Sequence, residues 1–232
     1  MDYSELLKVT GILLQYLLPT LKIFGYTLAF SIPLGMVVAM LKMCRFKPVS
    51  WITNIYILIM RGTPLMLQII TIYYAIPMIQ TGGSDFFGGL FSGFDTRSDT
   101  YQFTALLIAF VLNYAAYFAE IFRGGIEAIA KGQHEAAFTL GFTKTQTFFR
   151  IILPQVVKRV LPASSNEVIT LVKDTSLANV IAYAEIFRKA KEQMVFYSSL
   201  APLFIAGVFY FVMNAVLTVV FNFIEKKLDY YQ

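Results

Sequence analysis

The chain has 232 residues, of which 57% are hydrophobic and only 14% are charged, a composition too apolar for an ordinary soluble domain. Its net charge of +5 does not indicate nucleic-acid binding, because the basic residues lie between apolar runs and form no continuous patch. A single cysteine and a single histidine exclude an intramolecular disulfide and leave no cluster of metal ligands. The sequence therefore predicts an integral membrane protein, and the acidic start, MDYSELLK, predicts no cleaved signal peptide.

The N-terminal part predicts an interfacial helix and then the first span. Residues 9–18 are apolar but short and end at Pro19, so we expect them to lie at the membrane surface. Residues 20–41 are long enough to cross the bilayer. The basic stretch at residues 42–47 follows directly, which predicts a cytosolic loop here and an external N-terminus.

A second apolar segment, residues 52–79, is interrupted by Arg-Gly-Thr-Pro at residues 61–64. Such a break is tolerated in a membrane where the freed backbone groups are buried in protein or line a wet cavity, so one interpretation is a functional site. The other is that residues 51–60 lie along the interface and Arg61 marks the entry of the helix into the membrane. The sequence leaves both open.

An external loop and the third span come next. Residues 80–102 are rich in Gly, Ser, Asp and Phe, which predicts the loop, and residues 103–119 form the span. Asn113 lies at mid-depth, where its amide either bonds to a neighbouring helix or contacts a transported molecule. Glu120 and Arg123, near the cytosolic end, have the spacing that allows a pair on one helix face.

The stretch that follows, GQHEAAFTLGFTKTQTFFRIILP, is amphipathic and too polar to cross a bilayer. Residues 133–140 predict a short helix that ends at Gly141, because glycine tolerates the left-handed conformation that closes a helix. Thr143 opens a capping-box pattern, so a second helix should begin there and run to about Leu153. Pro154 is then expected to end or kink that helix.

Residues 155–171 predict the fourth span. Glu167 lies inside it, and a carboxylate at this depth indicates a functional site because it is costly to keep in lipid. Ser164, three residues earlier, is expected on the same helix face. The alternative is that Glu167 pairs with Lys173 or Arg61 for packing.

The C-terminal part predicts an amphipathic outer segment at residues 177–194 and the fifth span at residues 199–224. This arrangement places eleven Lys and Arg residues on the cytosolic side and five outside. The prediction is therefore one all-α transmembrane domain, residues 1–232, with five spans, the N-terminus outside and the C-terminus inside. The loop at residues 131–154, between the third and fourth spans, faces the cytosol in this topology.

This loop resembles the coupling loop of ABC importer permeases. Every fixed position of their EAA signature is present, namely Glu135, Ala136, Ala137, Gly141, Ile151, Leu153 and Pro154. Three further segments resemble the subfamily for polar amino-acid uptake: Arg61-Gly62-Thr63-Pro64-Leu65 with Gln68, residues 119–126, and residues 173–177. The resemblance covers residues 10–228.

The resemblance implies a multi-pass permease of the bacterial cytoplasmic membrane that imports polar amino acids. Its implied partners are a second permease chain, expected to be identical, a cytosolic ABC ATPase dimer and an extracytoplasmic solute-binding protein or domain. In that family the EAA loop forms coupling helices that seat in a groove on the ATPase. The chain itself has no phosphate-binding loop and no nucleophile with a histidine partner, so it is not predicted to be an enzyme. It should need no cofactor of its own, with ATP and Mg²⁺ bound by the ATPase.

The candidates for the substrate path are Gly62, Thr63, Pro64, Gln68, Asn113, Ser164 and Glu167. We expect backbone amides at the break to face a substrate carboxylate and Glu167 to face an ammonium group, which favours neutral or cationic amino acids over acidic ones. An ion-coupled secondary amino-acid transporter is the alternative, although five spans without an internal repeat are unlike that class.

Overall fold

The structure is a computed structural model that describes residues 1–82 and 95–228, and within these residues it is helical without any β-strand. The predicted loop at residues 80–102 lies largely outside the described part. The elements in chain order are α1 (Tyr3–Gln15), α2 (Leu17–Lys42), α3 (Lys47–Gly62), α4 (Leu65–Gly82), α5 (Asp99–Glu127), α6 (Lys131–Thr139), α7 (Lys144–Thr147), a π-helical turn (Phe148–Ile152), α8 (Leu153–Asp174), a 3₁₀ helix (Thr175–Ile181), α9 (Ile186–Tyr197) and α10 (Ala201–Leu228).

The first helix begins earlier than the prediction of residues 9–18. Asp2 and Glu5 form a reciprocal capping box, which fixes the start of α1 at Tyr3. The prediction that Pro19 ends a helix is wrong, because α2 begins at Leu17 and runs through this proline. Backbone N–H groups in the first turn of a helix have no acceptor within the helix. Proline, which lacks this group, is therefore tolerated there.

Three helical stretches of the described chain are long and apolar enough to cross a bilayer, namely Tyr3–Lys42, Asp99–Glu127 and Ala201–Leu228. Helices α3 and α4 qualify only as a pair, and a bend of 108° separates them. The predicted fourth span is not among these stretches, because α8 combines polar and apolar faces and carries Lys158, Arg159 and Glu167. The described residues therefore show three or four apolar spans, and five spans remain a prediction.

The main core forms where α2 packs on α5, and small residues allow the two helices to approach closely. Ala39 of α2 and Ala115 and Ala119 of α5 have no solvent exposure. A Cβ atom added at Gly35 would lie 2.7 Å from the Cβ atom of Phe118, closer than any real contact. Glycine is therefore required at this crossing.

A second, smaller core joins α1, α9 and the first part of α10. Its buried members are Val9, Leu13, Ile186, Ala190 and Ala206. The hydroxyl of Thr20 accepts a hydrogen bond from the backbone N–H of Ile186 at 3.3 Å, which connects this core to α2.

The predicted outer segment at residues 177–194 is two elements instead of one, because the 3₁₀ helix ends at Ile181 and α9 begins at Ile186. Glu185 caps α9 by accepting hydrogen bonds from the N–H groups of Phe187 and Arg188 at 2.7 and 2.6 Å. It also accepts one from the Tyr210 hydroxyl at 2.8 Å. The side chain is fully buried, and this burial raises the pKa of the Glu185 carboxyl to about 7.

Candidate functional site

The helix break predicted at residues 61–64 is exposed, and it lies level with the middle of α5. The Ser50 hydroxyl donates to the carbonyl of Lys42 at the end of α2, whereas the Tyr56 hydroxyl donates to the carbonyl of Leu112 near the middle of α5. Helix α3 therefore runs from the end of α2 towards the middle of α5, and the break lies at that depth. This placement favours the first interpretation, a broken span, over a helix along the interface.

Two amide side chains bond to backbone carbonyls that the break leaves free. Gln68 Nε2 donates to the carbonyl of Met60 at 3.0 Å and to the hydroxyl of Thr63 at 2.8 Å. Asn113 Nδ2 donates to the same Met60 carbonyl at 2.9 Å and to Gln68 Oε1 at 3.1 Å. Asn113 is only 4% exposed, and its amide bonds mainly to the broken helix. This is the first of the two roles predicted for Asn113, a bond to a neighbouring helix.

A cavity of about 560 Å³ opens beside the break, between the α3–α4 corner, α5 and α8. Five of the predicted path residues line it: Gly62, Thr63, Pro64, Asn113 and Glu167. Gln68 bonds to the break but does not line the cavity, and neither does Ser164, whose buried hydroxyl has no hydrogen-bond partner among the described residues. Most of the predicted path residues therefore meet at one cavity.

The cavity contains two carboxylates and one guanidinium. Asp174 accepts a hydrogen bond from the Tyr114 hydroxyl at 2.7 Å. Within residues 1–82 and 95–228, Glu167 has no hydrogen bond and no ion pair, so the alternative pairing with Lys173 or Arg61 is not formed. Glu167 is therefore the carboxylate available to a ligand.

Backbone donors are also available at the break. The N–H groups of Leu65 and Met66 open α4, and the structure assigns them no acceptor among the described residues. Pro64, the residue before them, has no backbone N–H group and so adds no donor of its own. The first turn of a helix with free amides is a favourable place for a carboxylate.

A charged cluster lies next to the cavity, further along α5. Glu120 accepts hydrogen bonds from Lys42 of α2 and from Arg123 Nη2, the latter at 2.8 Å. The predicted pair of Glu120 and Arg123 is thus confirmed. Arg61 Nη1 lies 3.9 Å from Glu120, and its guanidinium carbon is 5.2 Å from the centre of the Tyr117 ring. Arg61 is therefore held towards Glu120 at one edge of the cavity.

Sequence reasoning missed several residues of the cavity wall. Tyr114, Tyr117, Thr170 and Asp174 all line it, although none was a predicted path residue. One signal was present, since Thr170 and Asp174 follow Glu167 by three and seven residues and so share its helix face. The contact between Tyr114 and Asp174 joins residues 60 apart in the chain and has no local signal.

The coupling loop, residues 131–154, contains the two short helices that its punctuation predicts. Gly141 has a φ of 79°, the left-handed value that favours glycine. Its N–H donates to the carbonyl of Phe138, and the N–H of Phe142 donates to the carbonyl of Ala137, both at 3.0 Å. These two bonds form a Schellman motif, which ends α6 and turns the chain towards α7.

The second helix of the loop begins as predicted but does not end as predicted. Thr143 and Gln146 form the capping box that starts α7. Pro154 does not end this helix, because a π-helical turn at Phe148–Ile152 leads directly into α8 and places Pro154 in the first turn of that helix. The alternative, a kink at Pro154, stays a prediction. The coupling loop is thus continuous with the helix that carries Glu167.

The EAA residues lie partly on the surface of the loop and partly beneath it. Glu135 and Ala136 are exposed, whereas Ala137 is 1% exposed. Large apolar side chains on the same loop face solvent, with Phe138 65% and Leu140 75% exposed. Exposed apolar side chains of this size mark an interaction surface.

The comparisons with known proteins agree with this geometry. The family model for the binding-protein-dependent transport system inner membrane component matches residues 31–230. The arginine transport system permease protein ArtQ of Bacillus subtilis (strain 168) is 36% identical over 229 residues, which cover 98% of this chain and 97% of that protein. The L-cystine transport system permease protein TcyB of the same strain is 37% identical over 204 residues, which cover 87% and 80% of the two chains.

Solved structures of ABC transporter chains are also similar to this chain. A chain from the crystal structure of an amino acid ABC transporter with histidines has a TM-score of 0.82 and 31% identity, covering 98% of this chain and 99% of that one. A chain of the inward-facing MetNI methionine ABC transporter has a TM-score of 0.67 at 14% identity, which supports the fold alone. Nothing in these comparisons supports an ion-coupled secondary transporter. The chain belongs to the family of binding-protein-dependent transport system inner membrane components, the permease subunits of ABC importers.

Proposed function

We propose that this chain is the permease subunit of an ATP-driven importer of polar amino acids, with a preference for cationic over acidic substrates. The observation that carries this proposal is the cavity beside the helix break, which is lined by the unpaired Glu167 and by Leu65, the first residue of α4 with a free amide. The relatives whose printed names concern arginine, cystine and glutamine transport support the amino-acid class.

The two ends of an amino acid find opposite groups in this cavity. The free N–H groups of Leu65 and Met66 receive the α-carboxylate, in the manner of a discontinuous transmembrane helix whose positive end faces an anionic group. Glu167 and Asp174 receive the ammonium group or a cationic side chain. Arg61 lies 3.9 Å from Glu120, and its charge also acts on Glu167. The cavity lining still holds two carboxylates against one guanidinium, which disfavours an acidic substrate.

The membrane topology belongs to the same proposal. Five spans, with α8 as the polar one that faces the path, place the N-terminus outside and the coupling loop and C-terminus in the cytosol. Two copies of this chain form a homodimer in a bacterial cytoplasmic membrane, and an extracytoplasmic solute-binding protein delivers the substrate. ATP and Mg²⁺ bind to the partner ATPase dimer, and the permease needs no cofactor of its own.

The continuous path from α7 through the π-helical turn into α8 gives the coupling mechanism. Phe138, Leu140 and Phe149 dock the loop on the ATPase with their exposed apolar side chains. Glu167 lies thirteen residues beyond Pro154 on the same helix, about 20 Å at the helical rise per residue. A movement of the loop therefore shifts one wall of the cavity relative to α5.

Substitution of Glu167 by Gln tests the proposal. Reconstituted with its ATPase and binding protein, the Glu167→Gln variant should take up labelled arginine or lysine about tenfold more slowly, because one charge-assisted hydrogen bond is lost. Uptake of a neutral amino acid should fall less. The matched control is Glu127→Gln, which removes an exposed glutamate outside the cavity and should leave uptake near the wild-type rate. Unchanged cationic uptake and substrate-stimulated ATPase activity in Glu167→Gln would reject the assignment.

A further inference from the structure

A second cavity, of about 410 Å³, lies at the opposite end of α3 from the break. It forms where the end of α2, the start of α3 and the end of α5 meet. Its polar lining comes from Lys42, Lys47, Ser50, Asn54, Arg123 and Glu127. The substrate path does not use this cavity, since the two cavities share no residue.

The charge of this cavity is positive after its internal pairs are counted. Lys42 and Arg123 are held by Glu120, and Arg123 also bonds to Glu127. Lys47 forms no ion pair with any described residue, and the same holds for the exposed Arg45, which follows the lining residue Cys44 in the chain. Two basic side chains are thus free for an anionic ligand.

The start of α3 adds backbone donors to the same place. Phe46 occupies the N-cap position and gives no side-chain hydrogen bond to the first turn. Pro48 follows in that turn, as is common at the start of a helix. The positive end of the α3 dipole therefore faces the cavity together with Lys47.

The neighbouring surface of α3 is apolar and leads away from the cavity. Trp51 lines the cavity and is 67% exposed. Ile52, Leu58 and Ile59 continue the exposed surface along α3, with exposures of 63%, 69% and 51%. A tryptophan between a basic cluster and an apolar face is typical of a membrane interface.

We propose that this cavity binds the phosphate group of an anionic phospholipid in the cytosolic leaflet, with the acyl chains along the apolar face of α3. Lys47 and Arg45 pair with the phosphate, and Trp51 lies at the junction of headgroup and chain. A soluble phosphate fits the charges but leaves the apolar face unused, so the lipid is the better occupant. The inference uses the orientation proposed above, in which this end of α3 is cytosolic.

The single tryptophan of the chain makes the site directly observable, because Trp51 reports contact with a quenching lipid. The full chain is reconstituted in phosphatidylcholine vesicles that contain brominated phosphatidylglycerol or brominated phosphatidylcholine at equal mole fractions. Wild-type protein should prefer the anionic lipid by up to about 25-fold, because each of the two free basic residues contributes about fivefold. The double variant Arg45→Gln/Lys47→Gln should lose most of this preference. Both side chains are exposed and unpaired among the described residues, so folding should not suffer.

The matched control is Lys226→Gln/Lys227→Gln, which removes two exposed basic residues at the end of α10 and should retain the wild-type preference. Equal quenching by the two lipids in the wild-type protein, or an equal loss of preference in both double variants, would overturn the proposal. Competition by millimolar inorganic phosphate would also overturn it, because the site would then bind a free anion. None of these readings depends on transport, so failure of this site is distinct from failure of the proposed function.

Discussion

The packing of α5 against α8 makes a quantitative prediction at Gly125. A Cβ atom added there would lie 2.2 Å from Cγ1 of Val160 and 3.6 Å from Cγ1 of Val156. Carbon atoms in contact are normally about 3.5–4.0 Å apart, so the first distance requires Val160 to move. Val160 is β-branched and has one strongly preferred rotamer in a helix, which makes that movement costly.

The expected cost of Gly125→Ala is about 1–3 kcal/mol, the usual range for overpacking of a well-packed core. The neighbouring Gly124 is the matched control, because no atom lies within 4 Å of a Cβ atom added there. Gly124→Ala should be neutral or stabilise the helix by up to about 1 kcal/mol. Unfolding of the detergent-solubilised chain, followed by circular dichroism during titration with a denaturing detergent, measures both variants.

A rescue variant separates the contact from a general effect of alanine. Val160→Ala removes the Cγ1 atom that the new methyl group would meet. The double variant Gly125→Ala/Val160→Ala should therefore be less destabilised than the sum of its two single variants. Equal stability of Gly125→Ala and Gly124→Ala, or strict additivity in the double variant, would refute the packing argument.

Three further predictions concern hydrogen bonds, pH and coupling. Asn113→Ala should lower the free energy of unfolding by about 1–2 kcal/mol in the same assay, because two hydrogen bonds at the break are lost. The control Asn222→Ala, at an exposed position, should lower it little. Wild-type stability of Asn113→Ala with abolished uptake would instead assign Asn113 to substrate contact. The free energy of unfolding should fall as the pH rises from about 4.5 to about 7, because the buried Glu185 keeps its proton over this interval while the unfolded chain releases it. Glu185→Gln should remove that part of the slope, and identical pH profiles for the two proteins would contradict the assignment. Gly141→Pro should dissociate or uncouple the ATPase, because proline cannot adopt a φ of 79°. Glu135→Lys should have the same effect, because Glu135 lies on the exposed EAA surface. Intact co-purification with the ATPase and normal uptake in both variants would count against the docking surface.

Local signals predicted the coupling loop well because its determinants are adjacent in the chain. The end of α6 depends on the left-handed Gly141, and the start of α7 depends on Thr143 and Gln146. Each of these features involves residues within one turn of each other, so a sequence pattern is sufficient to place it.

The two prolines at helix starts show where local signals fail. The sequence predicts that Pro19 ends a helix and that Pro154 ends or kinks one, whereas both lie in the first turn of the next helix. A proline is compatible with either role, and the choice depends on the element before it. For Pro154 that element is a π-helical turn, which has no sequence pattern of its own.

The cavity was predicted in part for a related reason. Glu167 and the break at Gly62 to Pro64 were found because polar groups are rare at these depths in a membrane. Tyr114 and Asp174 were not, because their contact depends on how α5 packs against α8. The helical periodicity of α8 would have added Asp174 to the predicted path residues. Only tertiary packing shows that Ser164 lies away from the cavity.

The central claim is that this chain moves a polar amino acid into the cell with energy from a partner ATPase. The direct test is uptake of labelled arginine into proteoliposomes that contain the permease, its ATPase and its binding protein, with and without ATP and with and without an ionophore. We expect uptake that requires ATP and both partners, persists with the ionophore and is slowed about tenfold by Glu167→Gln. Uptake that continues without ATP and is abolished by the ionophore would contradict it.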